Sequence, residues 1–233
     1  MLEARAHLHL SKVNGASAYT NALAALEGGF ESSADNAGFT FGTAATETAP
    51  WYQYIEQRDD CEVGSTYVGI LQSLNDPRET TYGQMHTTDH PIWTRDQTVN
   101  LLSFTEQEFI KAEALMQGGD AAGAYDAYLS GIQSSLNEAL VGEQYDTYIG
   151  QNSVGTGAGN LTMNDIMTQK YLALYTDPEV FSDWRRTNLP ALTPVTGSEI
   201  PRRLPYAQTE IFSNENTPSP TNVTIFSRVW WDQ

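Results

Sequence analysis

The chain has 233 residues, a formal net charge of −17 at pH 7 and 40% hydrophobic residues. A surface this acidic repels phosphate groups and anionic lipids, so the composition argues against nucleic acid or an anionic membrane as a partner. The hydrophobic fraction is ordinary and the length suffices for one or two domains, so the acidity does not indicate disorder. The single cysteine, Cys61, excludes an internal disulfide bond.

Two amphipathic segments open the chain. Leu2–Leu10 and Ala16–Leu26 carry apolar residues at helical spacing, with an Asn-Gly turn signal between them. The pattern returns with a constant offset of 106 residues, which pairs Asn14 with Asp120. We therefore predict two tetratricopeptide-like helical hairpins, at residues 1–28 and 103–140, each with an Asn or Asp cap on its second helix. Chance similarity between two amphipathic hairpins is the alternative.

Residues 29–102 lie between the two hairpins and have a different character. They are rich in Thr, Gly, Asp and Tyr and lack sustained helical periodicity, which predicts a long irregular loop insertion. Flat aromatic faces can stack on the C–H faces of sugars, so four aromatic residues are candidate ligand contacts: Trp51, Tyr52, Tyr54 and Trp93. The alternative for each is a place in the core, and adjacent residues in a regular element cannot both face one site.

Other polar groups of the insertion could form a metal or a catalytic site. His86 and His90 lie four residues apart, but a following proline favours a loop and a full zinc site needs three or four ligands. Asp59, Asp60 and Glu62 lack the alternating spacing of a calcium loop, so a solvated acidic loop is the preferred interpretation. No nucleophile elbow occurs. The sequence therefore predicts no catalytic residue, no metal and no cofactor.

Helix caps are predicted at three places after the insertion. Ser103 with Glu106, and Thr162 with Asp165, have the spacing of a capping box. Asp177 precedes a proline and is expected to cap the next helix.

Three further segments complete the sequence. Residues 150–159, GQNSVGTGAG, indicate a flexible linker. The run Asp183–Arg186 is interpreted as structural, with Trp184 packed between helices and an arginine paired with a carboxylate or a helix end. The Pro-rich and Asn-rich residues after Leu192 predict an extended tail that wraps over the helices.

Several motifs occur in an order that is typical of one family. They are DPR at 76–78, QKYLAL at 169–174, DWRRT at 183–187, IPRRLPY at 200–206 and VWWD at 229–232. In this order they resemble the SusD/RagB family of outer-membrane nutrient-binding lipoproteins, most specifically its C-terminal region.

The resemblance implies a fold and a function. The expected fold is mainly α, with residues 1–233 as the C-terminal portion of a single SusD-like domain and with C-terminal helices and tail at 160–233. The expected function is binding of a glycan or other nutrient at the cell surface and delivery to a SusC-like TonB-dependent outer-membrane transporter. Family members are longer and begin with a lipoprotein signal and an acylated cysteine, so we expect this chain to be a C-terminal part.

Two other functions stay open at this point. The hairpins could form a helical-repeat module that binds a protein and no sugar, or the acidic loop could serve a carbohydrate-active enzyme. Sugar stacked on the loop aromatics would favour nutrient binding, and a peptide on the concave helical face would favour the repeat module. Product released from a glycan would favour the enzyme.

Overall fold

The computed structural model describes residues 1–58, 62–83, 93–219 and 222–233, and it is mainly helical, as predicted. The described helices are α1 (Leu2–His9), α2 (Ser11–Asn14), α3 (Ala16–Ala25), α4 (Pro50–Arg58), α5 (Ser65–Ser73), α6 (Glu79–Tyr82), α7 (Phe104–Gly118), α8 (Ala121–Glu138), α9 (Tyr145–Ile149), α10 (Met163–Ala173), α11 (Glu179–Thr187) and α12 (Gln208–Ser213). The described strands are β1 (Ala37–Thr40) and β2 (Thr98–Leu102). None of these helices combines the length and the apolar character needed to span a bilayer.

The two predicted hairpins form the helical framework. In the first, α1 packs on α3, and in the second, α7 packs on α8, while α3 against α7 joins them. Small buried residues face these contacts, namely Ala18 and Ala22 on α3 and Ala124 and Ala127 on α8. Without long side chains at these positions the helix axes can approach closely, which explains why the Ala spacing marked the hairpins in the sequence.

The caps of the two hairpins differ. Asp120 accepts a hydrogen bond from the Gly123 amide at 2.9 Å and caps α8 as predicted. The predicted cap at Asn14 is wrong, because α3 begins after Gly15, which has a φ of 58° and no side chain to offer. Asn14 lies one position too early, at the end of α2, where its backbone carbonyl accepts from the hydroxyl of Ser17 at 2.9 Å.

Of the other three predicted caps, two form and the one at Asp177 is displaced. Pro178 is the N-cap residue of α11, and the Asp177 carboxylate accepts from the Glu179 amide at 2.8 Å from one position earlier.

Thr162 and Asp165 make the full reciprocal capping box of α10. Ser103 accepts from the amide of Glu106 at 3.1 Å, but the Glu106 carboxylate does not return to the cap. It binds the guanidinium of Arg5 instead, at 2.5 and 2.7 Å, and so ties α1 to the start of α7.

The insertion at 29–102 holds more regular structure than its sequence predicts. It contains α4, α5 and α6, and its two ends pair as an antiparallel ribbon in which Gly38 lies opposite Asn100 and Phe39 opposite Val99. These helices have nine residues or fewer, too short for a clear helical period. The ribbon pairs residues about 60 positions apart, which no local signal reveals.

A buried ion pair fixes the insertion to the helical framework. Arg78 is fully buried and binds the Asp76 carboxylate at 2.6 Å. The guanidinium also donates to Ser135 on α8 and to Gln169 on α10, while the Tyr148 hydroxyl on α9 donates to Asp76 at 2.5 Å. Three helices of the framework therefore hold one turn of the insertion.

Residues 150–159 are not the flexible linker that their composition indicates. Val154 is fully buried, and its carbonyl accepts from the hydroxyl of Tyr128 at 3.1 Å. Gly155 passes so close to the backbone that an added Cβ would lie 1.9 Å from the carbonyl oxygen of Ile149. Gly155 allows close packing of this turn.

The DWRR run is structural, and its predicted arginine–carboxylate pair forms, but Trp184 does not pack between helices as predicted. Arg186 is 1% exposed and binds Glu113 on α7 and Asp183 on its own helix. Trp184 is only half-buried and lies under the guanidinium of Arg202 from the tail, 4.8 Å from the ring centroid, instead of packing between helices. The short, charged helix turns Arg186 inward, which leaves Trp184 on the side that the tail covers.

The tail wraps over the helices as predicted. Asp232 is fully buried and accepts from Arg202 at 2.7 Å and from Arg228 at 3.1 Å. Next to it, Trp231 stacks on His9 of α1 with ring centroids 5.9 Å apart. The last residues of the chain thus contact its first helix.

Candidate functional site

A cleft of about 660 Å³ lies where the insertion meets the helical framework. Its lining comes from α1, α4, α6, the segment through β2, the end of α8, and the turn between α10 and α11. The lining includes the following aromatic, polar and charged residues: Arg5, Trp51, Tyr82, Trp93, Asp96, Gln97, Asn100, Glu138, Tyr175, Asp177 and Glu179. We call this the acidic cleft.

Four aromatic rings form a continuous wall of the acidic cleft. Trp51 lies 6.0 Å from Trp93 between ring centroids, Trp93 lies 5.7 Å from Tyr175, and Tyr175 stacks on Tyr82 at 4.8 Å. Trp93 is 2% exposed and Tyr82 is also buried, whereas Trp51 and Tyr175 keep part of their surface open. The two buried rings therefore support the two that a ligand can reach.

The structure separates the four candidate aromatics of the insertion. Trp51 and Trp93 both line the acidic cleft. Tyr52 is buried on another side of α4, where its hydroxyl accepts from the Nε of Arg95 at 2.9 Å. Tyr54 is 41% exposed and lies edge-on to Trp51, 6.4 Å away, outside the cleft lining. The helical rotation of about 100° per residue separates these neighbours.

Two aromatic residues of the wall were missed by the sequence analysis. Tyr175 follows the QKYLAL motif and Tyr82 ends α6, some 90 residues earlier. Each has the context of an ordinary core tyrosine, and only the tertiary fold brings them beside Trp93. No local pattern could have identified them.

The polar lining offers acceptors and carboxylates. Gln97 Oε1 is a buried atom without a hydrogen-bond partner among the described residues. Glu138 accepts from the Nδ2 of Asn36 at 3.3 Å, and Asp177 accepts from the backbone amide of Glu179 at 2.8 Å. Such groups can bond to the hydroxyl, amide or ammonium groups of a ligand.

Burial and neighbours shift the pKa values of these carboxyls in different directions. Burial raises the pKa of Glu138 and that of Asp177. Burial also acts to raise the pKa of Glu179, but the imidazole of His9, 2.7 Å away, and the guanidinium of Arg5 outweigh it, so the pKa is lowered. Ordinary carboxyl pKa values lie about three units below neutral pH, so the lowered pKa of Glu179 leaves this carboxyl anionic there.

A second cavity, of about 520 Å³, lies beside the first and is mostly apolar. It is lined by α5, the end of α10, and the first part of the tail, and it shares the backbone turn of residues 174–176 with the acidic cleft. Glu62 reaches this cavity, whereas Asp59, Asp60, His86 and His90 lie outside the described residues. Within the described part of the chain no three His, Cys, Asp or Glu side chains cluster to hold a metal.

Solved structures share this fold. A SusD-like protein from Bacteroidetes is 20% identical and superposes with a TM-score of 0.80 over 100% of this chain and 68% of its own length. A chitin-binding protein is 22% identical, with a TM-score of 0.77 over 100% of this chain and 63% of its own. A SusD homologue from Bacteroides vulgatus is 19% identical, with a TM-score of 0.76 over 99% of this chain and 61% of its own.

The chain spans less than two thirds of the length of the chitin-binding protein and of the SusD homologue from Bacteroides vulgatus. No curated protein sequence matches the chain.

The sequence itself matches a family model. The matching model is that of a SusD-like family described as starch-binding associating with outer membrane, and it matches residues 1–92 and 84–207. With most of its length covered by that model, the chain belongs to this SusD-like family.

Proposed function

We propose that the chain binds a glycan in the acidic cleft. The observation that carries the proposal is Trp51, which forms the open end of an aromatic wall in a polar cleft large enough for one or more sugar rings. The apolar face of a sugar stacks on such a ring, and its hydroxyl groups bond to Gln97 and Asn100 at the same wall. The family description and the chitin-binding relative support carbohydrate as the ligand class.

The rest of the proposed role rests on family membership. We infer that residues 1–233 act as one domain at the outer membrane, anchored there as part of a surface lipoprotein, and pass the glycan to a SusC-like TonB-dependent transporter. The role is binding and delivery, and it needs no catalytic residue or cofactor. The family description, which names both binding and the outer membrane, supports this reading.

Calorimetric titration with neutral oligosaccharides tests the proposal. The panel includes starch-derived and chitin-derived oligosaccharides, and each is titrated into the unsubstituted chain, Trp51→Ala and Trp230→Ala. Trp230 is 67% exposed and does not line the cleft, so it is a matched control. Loss of one aromatic stack should weaken binding about tenfold in Trp51→Ala and leave Trp230→Ala unchanged.

Two results would contradict the proposal. One is a chain that is folded by circular dichroism and binds no member of the panel. The other is an equal loss of affinity in both tryptophan variants, which would place the ligand away from Trp51. The first result would favour a helical module that binds a protein.

A further inference from the structure

The charges of the acidic cleft are mostly of one sign. Four carboxylates line it, those of Asp96, Glu138, Asp177 and Glu179. Among the described lining residues Arg5 is the single arginine, and there is no lysine. A ligand that enters this cleft therefore meets more negative than positive charge.

Arg5 offsets only part of the excess, because its guanidinium is already bound to a carboxylate outside the cleft lining. It donates to both carboxylate oxygens of Glu106, at 2.7 and 2.5 Å, and to the Leu101 carbonyl at 2.8 Å. The Glu106 side chain is 1% exposed, so this bidentate pair is held in a fixed position. Arg5 thus neutralises a carboxylate outside the cleft lining.

Of the four carboxylates, Glu179 alone makes ion pairs with described residues, and Asp177 is also influenced by the charges of Arg5 and Lys170. His9 Nε2 lies 2.7 Å from Glu179 and Arg5 Nη1 lies 3.8 Å away. Asp96, Glu138 and Asp177 make no ion pair with any described residue, and two of them only accept hydrogen bonds from neutral donors. Two carboxylates beside the aromatic wall, those of Asp96 and Glu138, are therefore left without a cationic partner among the described residues.

The neutral lining points the same way. Gln97 Oε1 is buried in the cleft without a donor among the described residues. Buried acceptors are normally satisfied, and an ammonium group carries three N–H donors and no acceptor. A cationic sugar substituent would satisfy Gln97 and the nearby carboxylates together.

We propose that the acidic cleft selects glycans that carry protonated amino groups, such as oligosaccharides of free 2-amino sugars, over neutral glycans, and rejects glycans that carry carboxylate or sulfate groups. This inference rests on the proposed glycan-binding function. A charge interaction in a partly enclosed cleft is stronger than in open water because the effective dielectric constant is lower. An anionic sugar in the same place would meet the carboxylates of Asp96 and Glu138, which have no cationic partner among the described residues.

The test compares oligosaccharides that carry positive, no or negative charge. A tetrasaccharide of free glucosamine, its fully N-acetylated counterpart and an oligogalacturonide are titrated at about pH 6, above the ordinary carboxyl pKa of about 4. The cleft variant is Asp96→Asn with Glu138→Gln, whose amides keep an acceptor for Asn36. The control is Glu27→Gln with Glu143→Gln, which changes the net charge equally at two exposed positions outside the cleft.

The chain should bind the amino form about tenfold more tightly than the acetylated form, since each exposed carboxylate–ammonium pair gives about two- to fivefold. The cleft variant should retain about a twofold preference and the control the full preference. Added salt should reduce the preference, and the oligogalacturonide should bind most weakly.

Equal affinity for both forms, or a preference lost equally in the control, overturns the charge selectivity and leaves glycan binding intact. If no oligosaccharide binds at all, the proposed function fails and this inference with it.

Discussion

At the scale of single residues, Arg186 shows how buried charges hold the C-terminal helices in place. Its guanidinium binds the carboxylates of Glu113 and Asp183, and Asp183 also contacts the ammonium of Lys170 at 2.6 Å. All four side chains are buried. An isolated buried charge is unfavourable, so the four groups stabilise one another and the loss of one leaves others without a partner.

Replacing Arg186 with methionine should therefore be strongly destabilising. The variant Arg186→Met leaves Glu113 buried without its partner, and we expect the free energy of unfolding to fall by about 3–5 kcal/mol. Urea unfolding followed by circular dichroism measures this. Lys12→Met is the control, since Lys12 is exposed, and it should change the free energy by no more than about 0.5 kcal/mol. A similar small effect in both variants would show that the charge network is dispensable.

The same network predicts how stability depends on pH. Burial alone would raise the pKa of Asp183, but Lys170 and Arg186 outweigh it and lower the pKa to about 2, from an ordinary value of 3.8. A carboxyl whose pKa is lower in the folded chain stabilises the fold above its unfolded pKa. That contribution is lost as the pH falls from about 4 towards 2.

Unfolding free energies measured between about pH 5 and pH 2.5 test this contribution. This pH range brackets the ordinary pKa of a carboxyl group, about 4. The unsubstituted chain should lose about 2 kcal/mol through Asp183 as the pH falls, whereas Asp183→Asn, which has no proton to bind there, should show a shallower slope. Parallel slopes in the two proteins would mean that Asp183 is not held in its charged form. Comparing slopes removes the effect of the other carboxyls.

At the scale of elements, the turn at residues 150–159 shows why composition can mislead. Its glycines and polar residues are typical of a linker, yet Val154 enters the core and Gly155 lies against the carbonyl of Ile149. Gly159 in the same turn has open space around its Cα. The two glycines therefore have different structural roles that composition does not distinguish.

Alanine substitution should separate these roles. An added Cβ at Gly155 would lie 1.9 Å from the Ile149 carbonyl oxygen, so Gly155→Ala must displace the backbone and should lower the free energy of unfolding by about 1–3 kcal/mol. Gly159→Ala meets no atom within 4 Å and should be neutral or stabilise by up to about 1 kcal/mol. Thermal denaturation of both variants measures the difference. Equal melting temperatures would mean that the turn is loose enough to accommodate either change.

Features that depend on residues a few positions apart could be predicted from the sequence, whereas features that depend on distant contacts could not. The hairpins, the capping box of Thr162 with Asp165 and the cap at Asp120 depend on residues a few positions apart, so their spacing identified them. The pairing of β1 with β2 and the ion pair of Arg5 with Glu106 join residues roughly 60 to 100 positions apart, and they left no local pattern.

The candidate site was predictable to a similar, limited extent. Trp51 and Trp93 stood out because they lie in an insertion rich in aromatic and polar residues. Tyr82, Tyr175 and the carboxylates of the acidic cleft did not, because each belongs to a different element whose own sequence is ordinary.

At the scale of the whole molecule, the acidic cleft depends on the joint placement of the insertion and the helical framework. The ion pair of Asp76 with Arg78 anchors the insertion to α8, α9 and α10, and the ribbon of β1 and β2 closes it. The aromatic wall then brings α4 and α6 of the insertion beside the turn after α10. We propose that a glycan binds at this junction between the insertion and the helical framework.

A crystal structure of the chain with the tightest-binding oligosaccharide of the panel tests that claim most directly. We predict electron density for a sugar ring stacked on Trp51, with polar groups of the ligand within hydrogen-bond distance of Gln97. Density in the neighbouring apolar cavity instead, or an empty acidic cleft at saturating ligand, would contradict the account.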